Sequence, residues 1–354
     1  MKAGTQAMLA SLKPKPKSRP KSRPKATLKA KPTASPARAR RPSTRAAPAP
    51  TGLALTPAGA RHFRLHRPPG VRADAKLPLV VMLHGCGQDA ASFAASTRMN
   101  RIADRERFLV LYPEQDRLMH PQRCWHWYDT RSGRAQAEVR IVMAAIDQVC
   151  RTQPLAPDRI AIAGLSAGAG LAALIATLHP ERFRAVAMHS GVAPGAANST
   201  ATALAAMQGR REASRDGETS GPTSTSTSTS TSTSSPPAPA GASAPWPPLL
   251  AIQGLADRVV APSNGAAAAR LWAEREVAVA APTRRVQRGA RYAAAVTTWR
   301  SAASGLVATL CEVERLGHAW SGGAAGQRYS NPKGPDASRM IWAFFKKCFA
   351  ADLS

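Results

Sequence analysis

Three residues have the types and the chain order needed for nucleophilic acyl chemistry: Ser166, Asp257 and His318. Ser166 centres the pentapeptide Gly164-Leu165-Ser166-Ala167-Gly168, which interrupts an apolar run, Ile160 to Ala163, before an Ala/Leu-rich stretch resumes. That pattern predicts a strand, a tight turn and a helix, with the two glycines letting strand and helix approach closely while the serine hydroxyl projects. A serine hydroxyl is a poor nucleophile at neutral pH, so a base must take its proton, and His318 in the Gly-rich stretch Leu316 to Gly323 fits that part. Asp257, in Gly254-Leu255-Ala256-Asp257, would fix the imidazole tautomer. An oxyanion needs two N–H donors: the first turn of the helix offers Ala167, and the turn His84-Gly85-Cys86-Gly87 offers Cys86 most simply, with Gly87 as the alternative.

These residues need elements that bring them to one edge. Arg61 to Leu65 alternates as a first edge strand, and Leu77 to Leu83 is a continuous apolar run suited to a strand buried on both faces. A helix over Ala90 to Arg107, a strand over Phe108 to Tyr112 and a helix over Ala137 to Cys150 lead into the serine strand. Beyond it come strands at Arg184 to Met188 and Leu249 to Gln253, a helix at Asn264 to Glu276, and strands at Arg285 to Gln287, Ala294 to Trp299 and Leu306 to Val313. Asp336 to Phe349 closes the chain as a helix with a Trp/Phe face. Alternating strands and helices imply right-handed crossovers and an α/β fold, mostly parallel with helices on both faces. His189 ends a strand but precedes the acid, so it reads as a packing residue and His318 as the base. Trp125 and Trp127, crowded into the loop Glu114 to Gly133, and Trp320 beside His318 are the candidates for an apolar substrate wall.

Charge and composition set limits. The chain has 354 residues and a net charge of +28, but residues 1–50 carry 14 Lys and Arg and no acid. Residues 1–58 therefore read as a basic, proline-broken disordered tail able to attract polyanions by counterion release. Residues 59–350 form the folded domain, interrupted by a Thr/Ser/Pro-rich disordered insertion at 209–247. No stretch is apolar enough to span a membrane, and Gln6 to Leu12 is too short and polar for a secretory core. Five cysteines without C-x-x-C spacing argue against zinc, and no cofactor motif is present.

Taken jointly, LPLVVMLHGCGQ, RCWHWYD, DRIAIAGLSAGAGLAA, MHSG, GLADRVV and LGHAWSGG with its trailer YSNPKGPDAS resemble the polyhydroxybutyrate-depolymerase-type esterases, with feruloyl-esterase-like relatives. The resemblance runs from about Arg61 to Phe349. It implies the α/β-hydrolase fold, a Ser166–His318–Asp257 triad, a Cys86–Cys124 bridge and hydrolysis of carboxylic esters, of a 3-hydroxyalkanoate polymer or oligomer or of a small aryl or acyl ester. An acyltransferase uses the same triad, and a polyanion- or granule-binding protein with an inactive core is the reading from another class. Secretion is common in the family, while the N-terminus as written does not read as a Sec signal. The acid turn opens with Gln253-Gly254 where the family usually has His-Gly.

Overall fold

A computed structural model describes residues 51–57, 59–213 and 244–351. The expected basic tail up to residue 50 and the bulk of the Thr/Ser insertion lie outside the described residues.

The centre of the molecule is a parallel sheet. Its strands are β3 (Leu77–Leu83), β4 (Leu109–Pro113), β5 (Leu155–Leu165), β6 (Ala185–His189), β7 (Leu249–Gly254) and β11 (Gly305–Val313), adjacent in the order β4-β3-β5-β6-β7-β11. Every neighbouring pair among these is parallel. Antiparallel strands flank them: β2 (Gly59–His66) against β4, and β10 (Ala294–Ser301) against β11, with β8 (Val279–Ala280) and β9 (Arg284–Val286) beyond. The apolar run of β3 shows why such a strand must be central. Leu79, Val81 and Leu83 enter one hydrophobic cluster while Val80 and Met82 enter the other.

Helices fill both faces. On the first lie α3 (Arg134–Thr152), α4 (Ala167–Leu178) and α6 (Ser263–Arg275), whose Ile146, Leu171 and Trp272 are buried. On the second lie α1 (Ala90–Thr97), α2 (Met99–Glu106) and α7 (Ala337–Ala350), contributing Phe93, Ile102 and Phe345. α5 (Thr200–Met207) follows β6, capped by Ser199.

Several expectations are corrected. Arg61 to Leu65 is not the edge: β1 (Thr51–Thr56) pairs antiparallel outside β2, so the folded part begins at or before residue 51 and the tail boundary at 58 is too late. The helix expected over Ala90 to Arg107 is two, because Arg98 takes a left-handed backbone (φ 57°) and donates a side-chain hydrogen bond to the Gly322 carbonyl. The insertion is narrower than 209–247. Glu212 pairs with Arg270 of α6 at 3.0 Å, and the Trp246 N–H donates to Glu276, just past that helix, at 3.3 Å. The two-residue strands β12 (Trp320–Ser321) and β13 (Ser330–Asn331) were too short to give a period.

One buried polar group organises the β2 side. Arg61, 2% exposed, meets Glu138 of α3 at 2.9 Å, and the same carboxylate accepts from His126 Nδ1 at 3.0 Å and from the Gln115 amide. Burial pushes Glu138 up, but the His126 hydrogen bond, the Arg61 charge and hydrogen bond and the Gln115 amide outweigh it and hold the carboxyl below its usual range. Removing one member of such a pair strands the other charge. Glu138→Ala is expected to cost about 3–5 kcal/mol in urea unfolding, and Arg61→Met with Glu138→Leu to cost less than the two single changes summed.

Candidate active site

The turn after β5 is built by close backbone contact. Ser166 sits at φ 57°, ψ −121°, a strained conformation for a residue with a side chain. It is held there because its N–H donates to the His189 carbonyl at 2.9 Å and its carbonyl accepts from Ala169 at 2.9 Å and Gly170 at 3.1 Å. A Cβ on Gly164 would stand 2.2 Å from the Gly168 carbonyl oxygen, and one on Gly168 would stand 2.3 Å from that of Leu83. Only glycine at both positions allows the turn.

The acid and the base arrive on neighbouring loops that also meet backbone to backbone. Leu255 N–H donates to Val313 and Ala256 N–H to Leu316, each at 2.9 Å, and a Cβ on Gly254 would lie 2.3 Å from the Leu316 carbonyl oxygen. His318 Nδ1 is then 2.8 Å from Asp257 Oδ2, and His318 Nε2 is 3.0 Å from Ser166 Oγ. The carboxylate can only accept, so Nδ1 carries the proton and Nε2 is free to accept from the serine hydroxyl. Asp257 Oδ1 accepts from the Val259 and Val260 N–H groups, each at 2.9 Å. Burial pushes Asp257 up, yet the His318 hydrogen bond and charge and the two backbone N–H groups hold it below the usual carboxylate range.

The oxyanion alternatives separate here. Gly87 N–H is taken by the Gln122 carbonyl at 2.6 Å, whereas the N–H groups of Cys86 and of Ala167, first residue of α4, have no acceptor among the described residues. Cys86 and Cys124 are joined by a disulfide, which ties the 114–133 loop to this turn.

The three tryptophans do not form the expected wall. Trp125, Trp127 and Trp320 are 1%, 7% and 0% exposed. Trp125 donates Nε1 to the His84 carbonyl at 2.9 Å, and Trp127 packs on α4 where Gly170 has no side chain. Trp320 stacks on His189 with ring centroids 5.1 Å apart, meets Phe93 edge-on and donates Nε1 to Ser338 at 3.1 Å. Their apolar area is spent in the core beneath the site.

His189 is a packing residue, as its place in the chain order implies. Its Nε2 accepts from the Ser321 N–H at 3.0 Å and its Nδ1 faces Ser190 Oγ at 3.1 Å, which fixes β12 just beyond His318. His84 works similarly, accepting from the Gln115 N–H at 3.0 Å.

Four features have places that the motifs did not assign. Gln253, 1% exposed, donates to the Val260 carbonyl at 3.1 Å and to Asp257 Oδ2 at 3.4 Å, occupying the space behind the acid. The Val259 and Val260 N–H groups belong to backbone, which side-chain patterns do not report. Tyr329, at φ 51°, places its ring 6.5 Å from that of His318 and its hydroxyl over Gly87, and Arg328 lies against that ring. A cleft of about 670 Å³ lined by Phe183, Trp246 and Leu306 lies at the opposite, amino-terminal edge of the sheet and shares no residue with this constellation.

Residues 61–269 match the family Esterase PHB depolymerase. The chain belongs to that family. Poly(3-hydroxyalkanoate) depolymerase C of Paucimonas lemoignei is 32% identical over 143 residues, 40% of this chain and 34% of that protein. Feruloyl esterase B of Neurospora crassa is 30% identical over 131 residues, 35% of this chain and 44% of that one. The chain thus spans less than half the length of these two curated relatives. Among solved structures, the acetyl xylan esterase from Aspergillus awamori superposes with a TM-score of 0.59 at 14% identity, covering 84% of this chain and 99% of that one, a likeness of fold. The fold of this PHB depolymerase family member is that of the α/β hydrolases.

The two buried histidines predict acid lability. Burial pushes His189 down to about 3 and His84 down to about 4, so both stay neutral in the folded state while an unfolded chain binds their protons below about 6.5. Their contribution is fully present above pH 6.5 and is lost as pH falls, at up to about 2.7 kcal/mol per pH unit between 6.5 and 4. Urea midpoints should fall from pH 7 to pH 5, and His189→Gln should show a shallower decline.

Proposed function

We propose that the chain is a serine-dependent carboxylic ester hydrolase working through an acyl-enzyme, with Ser166, His318 and Asp257 as its triad. The observation that carries this reading is the unbroken hydrogen-bonded line from Asp257 Oδ2 through His318 to Ser166 Oγ. As Oγ attacks the ester carbonyl carbon, His318 Nε2 takes its proton and Asp257 stabilises the imidazolium. The negative oxygen of the tetrahedral adduct is held by the Cys86 and Ala167 N–H groups. Collapse breaks the bond to the alkoxy oxygen, which leaves as alcohol with the proton from His318. Water then attacks the acyl carbon, gives a proton to His318, and the acid departs as the proton returns to Oγ.

For substrate, the family and the name of its Paucimonas lemoignei relative support esters of 3-hydroxyalkanoates, as polymer or oligomer. The likeness to feruloyl esterase B supports small aryl esters as a second class. Extracellular action fits an oxidised Cys86–Cys124 pair. We also retain the basic tail as a polyanion-attracting appendage separate from the chemistry, to be tested by deleting residues 1–47 and comparing salt-sensitive polyanion binding with esterase rate.

Turnover of p-nitrophenyl butyrate tests the core of the proposal. Ser166→Ala should lose about 10⁶ in kcat and Asp257→Asn about 10⁴. A Ser166→Ala protein with undiminished activity would overturn it. A panel running from p-nitrophenyl esters and methyl ferulate to polyhydroxybutyrate film ranks the substrate classes.

A further inference from the structure

The mouth of the site carries a cation with no assigned work. Arg328 lies in the loop between β12 and β13 and is exposed, but it is not loose. Its guanidinium sits 5.3 Å from the Tyr329 ring centroid and its Nη2 donates to the Tyr329 hydroxyl at 3.4 Å. Tyr329 is itself fixed, half-buried, by a left-handed backbone and by its carbonyl accepting from the Trp320 N–H at 2.8 Å. A Cβ placed on Gly87 would stand 3.7 Å from the Tyr329 hydroxyl and 4.0 Å from Arg328 Nη2. The cation therefore stands over the residue that follows Cys86, one of the two oxyanion donors.

Its surroundings leave its charge unspent. The acids flanking the oxyanion turn, Asp89 and Glu114, are both engaged by Arg123 at 3.2 Å. Asp257 is buried and committed to His318. Arg328 has no acidic partner among the described residues, and neither has Arg258, exposed on the acid loop next to Asp257. A neutral ester gains nothing from that arrangement. A guanidinium with free N–H donors matches a carboxylate, which it can grip through two parallel hydrogen bonds.

We propose that Arg328, held over the oxyanion turn by Tyr329, is a specificity-determining residue that binds a free carboxylate on the substrate. The favoured class is then an ester carrying an anionic group, either the acid end of a hydroxyalkanoate oligomer or the half-ester of a dicarboxylic acid. This rests on ester hydrolysis at Ser166 and narrows it from esters in general to soluble acidic ones.

The test compares two esters with one leaving group, p-nitrophenyl butyrate and mono-p-nitrophenyl glutarate, on the full chain. The readout is the ratio of their kcat/KM values, anionic over neutral. Arg328→Gln is expected to lower that ratio about tenfold, a loss of about 1.4 kcal/mol of transition-state binding. Arg328→Glu should lower it further, and Arg328→Lys, which keeps the charge but loses the paired donors, should fall between wild type and Arg328→Gln. Raising NaCl from 0.05 to 0.5 M should lower the wild-type ratio and leave that of Arg328→Gln nearly flat, because salt screens an exposed cation. A second arm uses a 3-hydroxybutyrate trimer as free acid and as methyl ester. A trimer preference lost on methylation identifies the oligomer end, and a preference confined to the glutarate identifies the half-ester. A ratio unmoved by Arg328→Gln and Arg328→Glu, with the neutral ester still turned over, overturns the carboxylate role alone. No turnover of either ester by the wild type overturns the Ser166 reading and this one with it.

Discussion

The contact between the Ser166 turn and the carboxyl end of β3 is where backbone meets backbone with no side chain between. Gly168 lies against the Leu83 carbonyl and Gly164 against Gly168, and these approaches force the left-handed conformation of Ser166. The strain is offset by three main-chain hydrogen bonds around the serine, one of them to His189 on the next strand. The same contact brings the start of α4 against the Leu83 and His84 carbonyls, at the head of the turn that carries Cys86. A methyl group at either glycine would push the Ser166 turn away from the end of β3.

A second theme is the use of neutral histidines as rigid connectors around His318. His84 and His189 are fully buried, each accepts a backbone N–H, and each leans on a tryptophan, Trp125 or Trp320. Burial keeps them uncharged at neutral pH, so they add no field to compete with Asp257. His318 instead faces a carboxylate, Asp257, at 2.8 Å.

The reach of the sequence follows from what each pattern encodes. The central strands were readable because burial on both faces leaves a continuous apolar run, and Ser166, Asp257 and His318 because each sits just past such a run. β1 was hidden in TGLALT, whose exposed Leu53 and Leu55 do not mark an inside face. The break at Arg98 depends on the distant Gly322 carbonyl, and no local propensity reports that. The tryptophans misled because aromatics in a polar loop look like a surface, whereas the Cys86–Cys124 link folds that loop back on the core. Gln253 stood out only as a departure from the family's His and Tyr329 only as the head of the trailer YSNPKGPDAS, since their parts depend on which loops face each other across the sheet edge.

The flanks of the Thr/Ser stretch carry a consequence for the design of the chain. Glu212 and Trp246 contact Arg270 on α6 and Glu276, the residue that follows that helix. The described chain therefore leaves at residue 213 and returns at residue 244 beside one end of a folded helix, which makes the spot a natural socket for grafted peptides.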